Sequence, residues 1–280
     1  MSTDPPTGGR RLLRHVLRRI AEEDRPLRFL ASRVLWRSGL SHRFSVERRG
    51  GPGAYRIRFF PSAVSSLAWV YPGRLSDEEA FVARTLRPGD CYVDVGANVG
   101  LLALRAAAIV GTGGRVVAVE AHPRTSSFLA ANVRLNGFQH VEVERVAVGD
   151  VPGEIAFTDH RSDDQNSVAP DGAGPVRVPV TTLDALLPVS RLSHVHLLKM
   201  DVEGYELAAL RGATQLLRRV ERVLFESSPA LCNRFGYRSR DVLDLVRAAG
   251  FRLRPLDEPS YLPDDYEPTG FVDLVAERSR

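Results

Sequence analysis

The chain has 280 residues, 44% of them hydrophobic and 26% charged, a composition typical of a folded globular protein rather than a disordered one. Its two cysteines, Cys91 and Cys232, are too few for a disulfide framework or a zinc site, and no apolar run reaches the ~20 residues that cross a bilayer, so we expect a cytoplasmic protein. The formal net charge is +4, but Lys199 is the single lysine, and such a dominance of arginine reflects genomic base composition more than nucleic-acid binding.

The first forty residues are rich in arginine and contain an apolar stripe at helical spacing. In RRLLRHVLRRIAEE the stripe consists of Leu12, Leu13, Val16, Leu17 and Ile20, and a second apolar and basic stretch follows to Leu40. We expect a helical N-terminal appendage that packs on the main domain or joins two copies of the chain in a homo-oligomer. Docking on an anionic membrane or on an acidic carrier protein is the alternative.

The segment that follows predicts a β-hairpin. In SVERRGGPGAYRIRFF, residues 45–60, two short alternating runs flank a Gly/Pro turn, which is typical of two antiparallel strands. We expect the hairpin to form an edge or a lid beside the main domain. The appendage and the hairpin together make up a predicted N-terminal part of residues 1–75.

From Ser76 onward, helix and strand patterns alternate. Ser76 is the expected N-cap of the helix in SDEEAFVARTL, and the RPGD that follows ends this helix before a buried strand. Strands are predicted at about residues 91–95, 115–120, 141–148, 195–201, 222–226, 251–255 and 271–276. Helices are predicted at about residues 99–110, 124–136, 205–218 and 239–249. The alternation predicts an α/β fold over residues 76–280, with a doubly wound, Rossmann-like sheet of seven mostly parallel strands.

Residues 151–180 interrupt this alternation. They are too polar and too rich in glycine and proline for a helix, so we expect an excursion of the chain over the ligand site. Since ligands of doubly wound sheets bind at the carboxyl ends of the strands, such a segment is a natural place for substrate contacts.

The turn after the first strand of this domain reads DVGANVGLLAL, residues 94–104. Gly96 and Gly100 let the backbone approach a ligand and let a helix start close to a strand. A dinucleotide turn carries a further glycine between these two, so that a pyrophosphate can lie on bare backbone. Here that glycine is missing, and Asp94 would repel a pyrophosphate but suits the cationic amino-acid end of S-adenosylmethionine.

Glu120 ends the next predicted strand and is placed to accept hydrogen bonds from both hydroxyls of a ribose. Taken singly, Glu120 is explained equally well as a surface acid at a strand end, and Asp94 as a carboxylate that satisfies a turn. The order of Asp94, the two glycines and Glu120 favours a site for an adenosine ligand.

These motifs resemble the FkbM family of S-adenosylmethionine-dependent methyltransferases, from about Asp77 to Ala276. The stretches that carry the resemblance are DVGANVGLLAL, VVAVEAHP, LAANVRLNG, AVGDVPG, TTLDALL, LLKMDVEGYELAALRGA and VLFESSP. The resemblance implies S-adenosylmethionine as cofactor, with the ribose on Glu120 and the adenine near Ala147 and Val148. It implies that the methionine part is bound by the turn, at Asp94, Gly96, Asn98 and Gly100, with Ala97 between them. Family members are associated with O-methylation of hydroxyls on macrolides, sugars and glycolipids.

A second group of charged residues lies in LLKMDVEGYE, where Lys199, Asp201 and Glu203 occupy alternate positions. If the strand runs on through them, all three project from one side. One interpretation is a self-compensating cluster that only fixes the strand end, because buried charges must be paired. We favour catalytic roles, because the fourth strand of this fold ends beside the transferred methyl group.

Within this group Asp201 would orient the acceptor hydroxyl or take its proton, and Glu203 would assist. Lys199 would either hold Asp201 ionised or, if burial neutralises it, act as the base itself. His160, in the excursion, is the reserve candidate for the base. A divalent ion on Asp201 and Glu203 lacks a further identifiable ligand, so we predict no metal.

Three other functions compete with this interpretation. RNA and DNA methyltransferases share the fold, but those that methylate base amines carry a D/N-P-P-aromatic stretch where this chain has DVEGYE, and the basic residues form no clustered stripe. A non-catalytic methyltransferase-like binding protein would show decay of the ligand residues, which are intact. An NAD-dependent dehydrogenase is disfavoured by Asp94 and the missing glycine. We therefore expect an O-methyltransferase whose partner is a small-molecule or glycan acceptor, a sugar, a glycolipid or a polyketide-type natural product, and we expect no nucleic-acid partner.

Overall fold

The computed structural model describes residues 24–160 and 166–278. The predicted apolar stripe from Leu12 to Ile20 lies outside the described residues. The strands are β1 (Ser45–Arg48), β2 (Tyr55–Arg58), β3 (Cys91–Val95), β4 (Arg115–Val119), β5 (Val141–Glu144), β6 (Ala147–Val148), β7 (Gly153–Phe157), β8 (Val176–Thr181), β9 (Val195–Met200), β10 (Val220–Ser227), β11 (Phe251–Pro255) and β12 (Val272–Arg278). The α-helices are α1 (Pro26–Ser38), α2 (Ala63–Val70), α3 (Asp77–Thr85), α4 (Leu101–Val110), α5 (Pro123–Asn136), α6 (Leu183–Leu186), α7 (Glu206–Arg211), α8 (Thr214–Leu217), α9 (Pro229–Asn233) and α10 (Ser239–Ala248).

The central sheet has the strand order β11-β12-β10-β9-β3-β4-β5. The strands from β10 to β5 run parallel to their neighbours, and β12 is antiparallel to both β10 and β11. The chain runs outward from β3 through β4 to β5 and then returns to the other side of β3 at β9, so the direction of winding reverses between β3 and β9. A doubly wound sheet binds its ligand at this switch point. The predicted fold class is confirmed.

Side chains of the central strands alternate between two apolar layers. Val93 and Val95 of β3 pack in one layer with Leu210 of α7 and Val242 of α10. Tyr92 packs in the other layer, with residues of α3 and α4. Every residue of β3 is buried, as expected for a central parallel strand covered on both faces. The charge of Asp94 in this strand therefore needs a specific partner.

Two predicted elements are divided in the structure. The strand expected at 141–148 ends at Glu144, and Ala147 and Val148 pair instead with β8 in a second sheet of order β6-β8-β7. The helix expected at 205–218 is interrupted by Gly212, where a Cβ would lie 2.0 Å from the carbonyl oxygen of Gly149. In both places the chain turns to contact the second sheet.

The N-terminal region contains the predicted helix and hairpin. β1 and β2 pair antiparallel, from Ser45 opposite Arg58 to Arg48 opposite Tyr55. The hairpin is not a peripheral lid, because Tyr55 and Ile57 are buried in the same apolar layer as α3 and α4. The division of the chain at residues 75 and 76 stays a prediction.

A buried ion network ties the hairpin to the main sheet. The Glu79 carboxylate of α3 accepts hydrogen bonds from Arg48 of β1 and from the Tyr55 hydroxyl, and it lies 3.5 Å from Arg105 Nη2 of α4. Arg105 in turn donates to the carbonyl oxygens of Pro52 and Gly53 in the hairpin turn, at 2.8 and 2.7 Å. Glu79 also accepts from the backbone N–H of Ser76 and thereby completes the predicted helix cap.

Among the helices of the described residues, none combines the length and the apolar character needed to span a bilayer.

Candidate functional site

An open cleft with about 660 Å³ of empty space lies at the carboxyl ends of β3, β4 and β9. This is the position at which a doubly wound sheet binds its ligand. The predicted site residues that line it are Gly96, Asn98, Glu120, Ala147, Val148, Asp201 and Glu203. The remaining ones, which are not in the lining, are Asp94, Ala97, Gly100 and Lys199.

The turn between β3 and α4 adopts left-handed backbone conformations at Gly96 (φ 75°), Asn98 (φ 50°) and Gly100 (φ 95°). A Cβ at Gly96 would lie 1.8 Å from the carbonyl oxygen of Asp201, and a Cβ at Gly100 would lie 2.5 Å from Leu129 Cδ1. The approach of a ligand to these glycines stays a prediction, whereas the expected close start of the helix at the strand is seen. The glycines close the turn against the end of β9 and against α5.

Glu120 follows β4 and is buried at the cleft. Its Oε2 accepts the backbone N–H of Asn98 and its Oε1 accepts that of His122, both at 2.9 Å. Burial raises the pKa of this carboxyl to about 7, although the two backbone hydrogen bonds oppose the shift. Each carboxylate oxygen has a second lone pair, so Glu120 is held in place and can still accept hydrogen bonds from a vicinal diol.

Asp94 is fully buried behind the turn. Its Oδ1 lies 3.8 Å from Lys199 Nζ, and neither carboxylate oxygen makes a hydrogen bond of standard geometry with the described residues. Burial raises the pKa of Asp94 to about 6, and the charge of Lys199 opposes this shift. Asp94 therefore supports the cleft from behind, through Lys199.

Lys199 is the buried cation of the site. Its Nζ donates to the carbonyl oxygen of Gly96 at 3.2 Å and to Asp201 Oδ2 at 3.1 Å. Burial lowers the pKa of this amine, but the carboxylates of Asp201, Asp94 and Glu78 outweigh burial and raise the pKa above its ordinary value. Of the two roles expected for Lys199, the structure favours the ammonium ion that holds Asp201 ionised.

Glu203 reaches the cleft from a turn and not from a strand. β9 ends at Met200, and Glu203 has a left-handed backbone (φ 55°) that Gly204 continues (φ 95°). The strand therefore does not run on through all three charged residues, and it ends one residue before the predicted limit of 201. Lys199 and Asp201 still meet, because Asp201 N–H donates to the carbonyl oxygen of Val95 and extends the pairing with β3 by one residue.

Three acidic side chains that the sequence analysis missed interact electrostatically with Asp201: Glu78 of α3, Glu226 of β10 and Asp273 of β12. Burial raises the pKa of Glu226 to about 8, with nearby negative charges adding to the shift, and its Oε1 is buried without a hydrogen-bond partner among the described residues. Burial raises the pKa of Glu78 to about 7. Glu226 could have been found, because it lies near the carboxyl end of a parallel strand in VLFESSP. No local pattern marks Glu78 or Asp273.

The second sheet forms an apolar wall of the cleft. Ala147 and Val148 of β6, Phe157 of β7 and the nearby Val168 are buried there. The predicted excursion therefore does lie beside the site, but it consists largely of strands. His160, the reserve base, is exposed and is not in the lining; its backbone N–H donates to Asn166 and its carbonyl oxygen accepts from Arg124.

One group of described residues has the spacing of a metal site: His194, His196 and Glu221. It lies at the amino ends of β9 and β10, away from the cleft. The backbone N–H of Cys91 donates to His196 Nδ1 at 2.9 Å, which leaves the ring proton on Nε2, 3.3 Å from Asp90 Oδ1. Because both ring nitrogens of His196 already have partners, His196 has no free nitrogen to offer a metal ion.

Comparison with known proteins gives a family match. The methyltransferase FkbM domain model matches residues 94–253, from the turn at Asp94 into β11. No curated protein matches the chain.

Several solved structures are similar in fold. The methyltransferase FkbM from Methylobacillus flagellatus KT is 16% identical, with 76% of this chain and 53% of that chain covered and a TM-score of 0.43. This chain thus spans about half of that protein. A SAM-dependent methyltransferase from Aquifex aeolicus is 17% identical, with 78% and 98% covered and a TM-score of 0.45. A putative O-methyltransferase from Klebsiella pneumoniae is 13% identical, with 74% and 82% covered and a TM-score of 0.45.

Proposed function

Since the chain belongs to the FkbM methyltransferase family, with S-adenosylmethionine as its methyl donor, we propose that it transfers the methyl group to a hydroxyl of a sugar, a glycolipid or a polyketide-type natural product. The observation that carries the proposal is the ion pair between Lys199 and Asp201 at the cleft. An alcohol is a weak nucleophile, so its methylation is helped by a carboxylate that is kept ionised beside the reacting oxygen.

The residues of the cleft fit S-adenosylmethionine. Glu120 offers two fixed carboxylate oxygens to a ribose, and the wall at Ala147, Val148 and Phe157 offers an apolar surface to a flat base. The lining also contains Glu203, whose negative charge suits the ammonium and sulfonium groups of the cofactor. When bound, the cofactor supplies an electrophilic methyl group on sulfur.

In the proposed reaction, Asp201 acts on the acceptor. Its Oδ2 accepts from Lys199, whereas its Oδ1 has no hydrogen-bond partner among the described residues. That oxygen can accept the hydrogen bond of the acceptor hydroxyl and take its proton as the new oxygen–carbon bond forms and the carbon–sulfur bond breaks. Lys199 remains protonated and stabilises the carboxylate until the proton arrives.

The proposal is tested with purified protein and a panel of sugars, glycolipids and polyketides. S-adenosylhomocysteine release identifies an acceptor, and NMR of the product shows whether the methyl group is on oxygen. Asp201→Asn and Lys199→Met are expected to keep S-adenosylhomocysteine binding and to lose ~10²–10⁴-fold in turnover, the scale of general acid–base catalysis. Glu258→Gln, at an exposed position, is the matched control and should keep full activity.

Two results would contradict the proposal. Methylation at nitrogen would overturn the assignment of the acceptor, and normal turnover by both variants would move catalysis elsewhere, with His160 the next residue to test. If both variants fail to fold, the Lys199–Asp201 pair is structural.

A further inference from the structure

Helix α1 presents an apolar face that no described residue covers. Leu27, Leu30 and Val34 recur at helical spacing, and they are 81%, 41% and 66% exposed. The opposite side of α1, with Phe29, Ser32 and Trp36, packs toward α2. The helix therefore turns apolar side chains outward as well as inward, which is uncommon on the surface of a soluble domain.

The apolar face is bordered by arginines. Arg33 and Arg37 follow one edge of it, at positions that a 3.6-residue repeat places beside Leu30 and Val34, whereas the Arg28 guanidinium lies 5.4 Å from the centre of the Trp69 ring. Between Arg10 and Val46 the sequence contains ten arginines and three acidic residues, a formal charge of +7. Because the whole chain is only +4, the rest of the molecule carries a net −3.

We propose that α1 docks the protein on an anionic lipid bilayer. Leu27, Leu30 and Val34 would enter the boundary between headgroups and acyl chains, and the bordering arginines would lie among the anionic headgroups. On the other side of α1, toward α2, a groove is lined by Phe29, Trp36 and Leu67, of which Leu67 is 62% exposed, so further apolar surface lies next to the helix. The inference is independent of the proposed acceptor.

Charge favours an anionic bilayer over a second copy of the protein as the surface that covers the apolar face of α1. A second copy of α1 would bring its own arginines against these, and residues 10–20 contain five arginines and no acidic residue. Like charges at the edge of an interface disfavour association, whereas a negatively charged membrane surface attracts each arginine by about 1 kcal/mol. The expectation of protein packing is therefore the less favoured of the two.

The test is flotation of the full chain with vesicles of phosphatidylcholine alone and with vesicles that also contain phosphatidylglycerol. We expect binding only to the anionic vesicles and a decrease with added salt. The double variant Leu27→Asp and Val34→Asp should lower partitioning at least ~10-fold, because two exposed apolar contacts are lost. Arg33→Gln with Arg37→Gln should lower it roughly 25-fold, at about 1 kcal/mol per arginine.

Val151→Asp with Val189→Asp is the matched control, because these valines are 67% and 65% exposed and lie outside α1. The control should partition like the wild type, and all variants should keep the wild-type melting temperature. Absence of binding to anionic vesicles, or equal losses in the control and the α1 variant, would overturn the proposal. A dimer in light scattering that Leu27→Asp and Val34→Asp dissociate would also overturn it, in favour of a subunit interface.

Discussion

The charged side chains around Lys199 show how burial determines their roles. One ammonium group lies among Asp94, Asp201 and Glu78, so it is held protonated in a place where an isolated lysine would lose its proton. Burial raises the pKa of carboxyl groups in the same region, to about 6 for Asp94, which lies 3.8 Å from Lys199, and to about 8 for Glu226. The buried lysine therefore stays charged, whereas the buried carboxyl groups hold their protons to a higher pH than usual.

The first prediction concerns cofactor affinity. Glu120→Ala removes the proposed ribose acceptor, so it should weaken S-adenosylhomocysteine binding by about 1.5–3 kcal/mol, the usual contribution of hydrogen bonds to charged groups. Asp94→Ala removes the carboxylate behind the turn and is expected to weaken binding indirectly, through Lys199. Isothermal titration calorimetry measures both losses, with Glu258→Gln as control. Unchanged affinity in both variants would remove these residues from the cofactor site, and a loss at Glu120 alone would limit Asp94 to a structural role.

A second prediction follows from Glu226. Its pKa of about 8 in the folded protein is above the ordinary value of 4.5, so between these pH values the folded state binds more protons than the unfolded state. The free energy of unfolding contributed by this residue therefore falls as the pH rises from about 4.5 through about 8. Glu226→Gln should melt near the wild-type temperature at about pH 5 and above it at about pH 9. A variant that is equally or less stable at the higher pH would contradict the assigned pKa.

At the scale of elements, the sequence predicts best where one face or one strand is wholly buried. The strands at 91–95 and 251–255 have the expected bounds, because a mostly apolar run marks the first, an alternating pattern marks the second, and turn residues flank both. The division of 141–148 between two sheets could not be foreseen, because the residues that Ala147 and Val148 pair with lie about thirty positions further along the chain. The end of β9 lies within one residue of the predicted limit of 201, but the alternation of charge continues through Glu203, where the backbone has already turned.

The residues of the candidate site also fall into two groups, those that the sequence could predict and those that it could not. Asp94, Glu120, Lys199 and Asp201 could be found because each lies at the end of a parallel strand, where the fold class alone predicts a ligand. Glu78 and Asp273 come from a helix and an antiparallel strand, so only tertiary packing brings them to the site.

A prediction at this scale concerns the contact of the hairpin with α3 and α4. Glu79→Gln leaves the buried Arg48 and Arg105 without their counterion, so we expect a loss of about 3–5 kcal/mol in unfolding free energy. Chemical denaturation measures it. Glu47→Gln is the control, because Glu47 forms an exposed pair with Arg49, and little change is expected there. A loss no larger than that of the control would mean that the network contributes nothing to stability.

On the scale of the whole molecule, the two parts of the chain depend on each other. The Glu79 network joins residues on both sides of the predicted boundary at 75 and 76, and Tyr55 and Ile57 complete an apolar layer that α3, α4 and the central sheet share. The charges are nevertheless divided, with basic residues concentrated before Glu47 and carboxylates around the cleft. The N-terminal sequence is thus cationic, whereas carboxylates predominate around the cleft.

The sequence contains one lysine, and the structure buries it at the cleft. Protein grown on lysine enriched in ¹⁵N and ¹³C at the side chain would therefore give a single ε-methylene resonance in an NMR spectrum, with no assignment required. Reagents that acylate exposed amines would not react readily with Lys199, because it is buried. Dyes or tethers that attach through lysine would therefore leave the folded protein largely unmodified. One isotope-labelled atom pair would report protonation, ligand occupancy and exchange at the site directly.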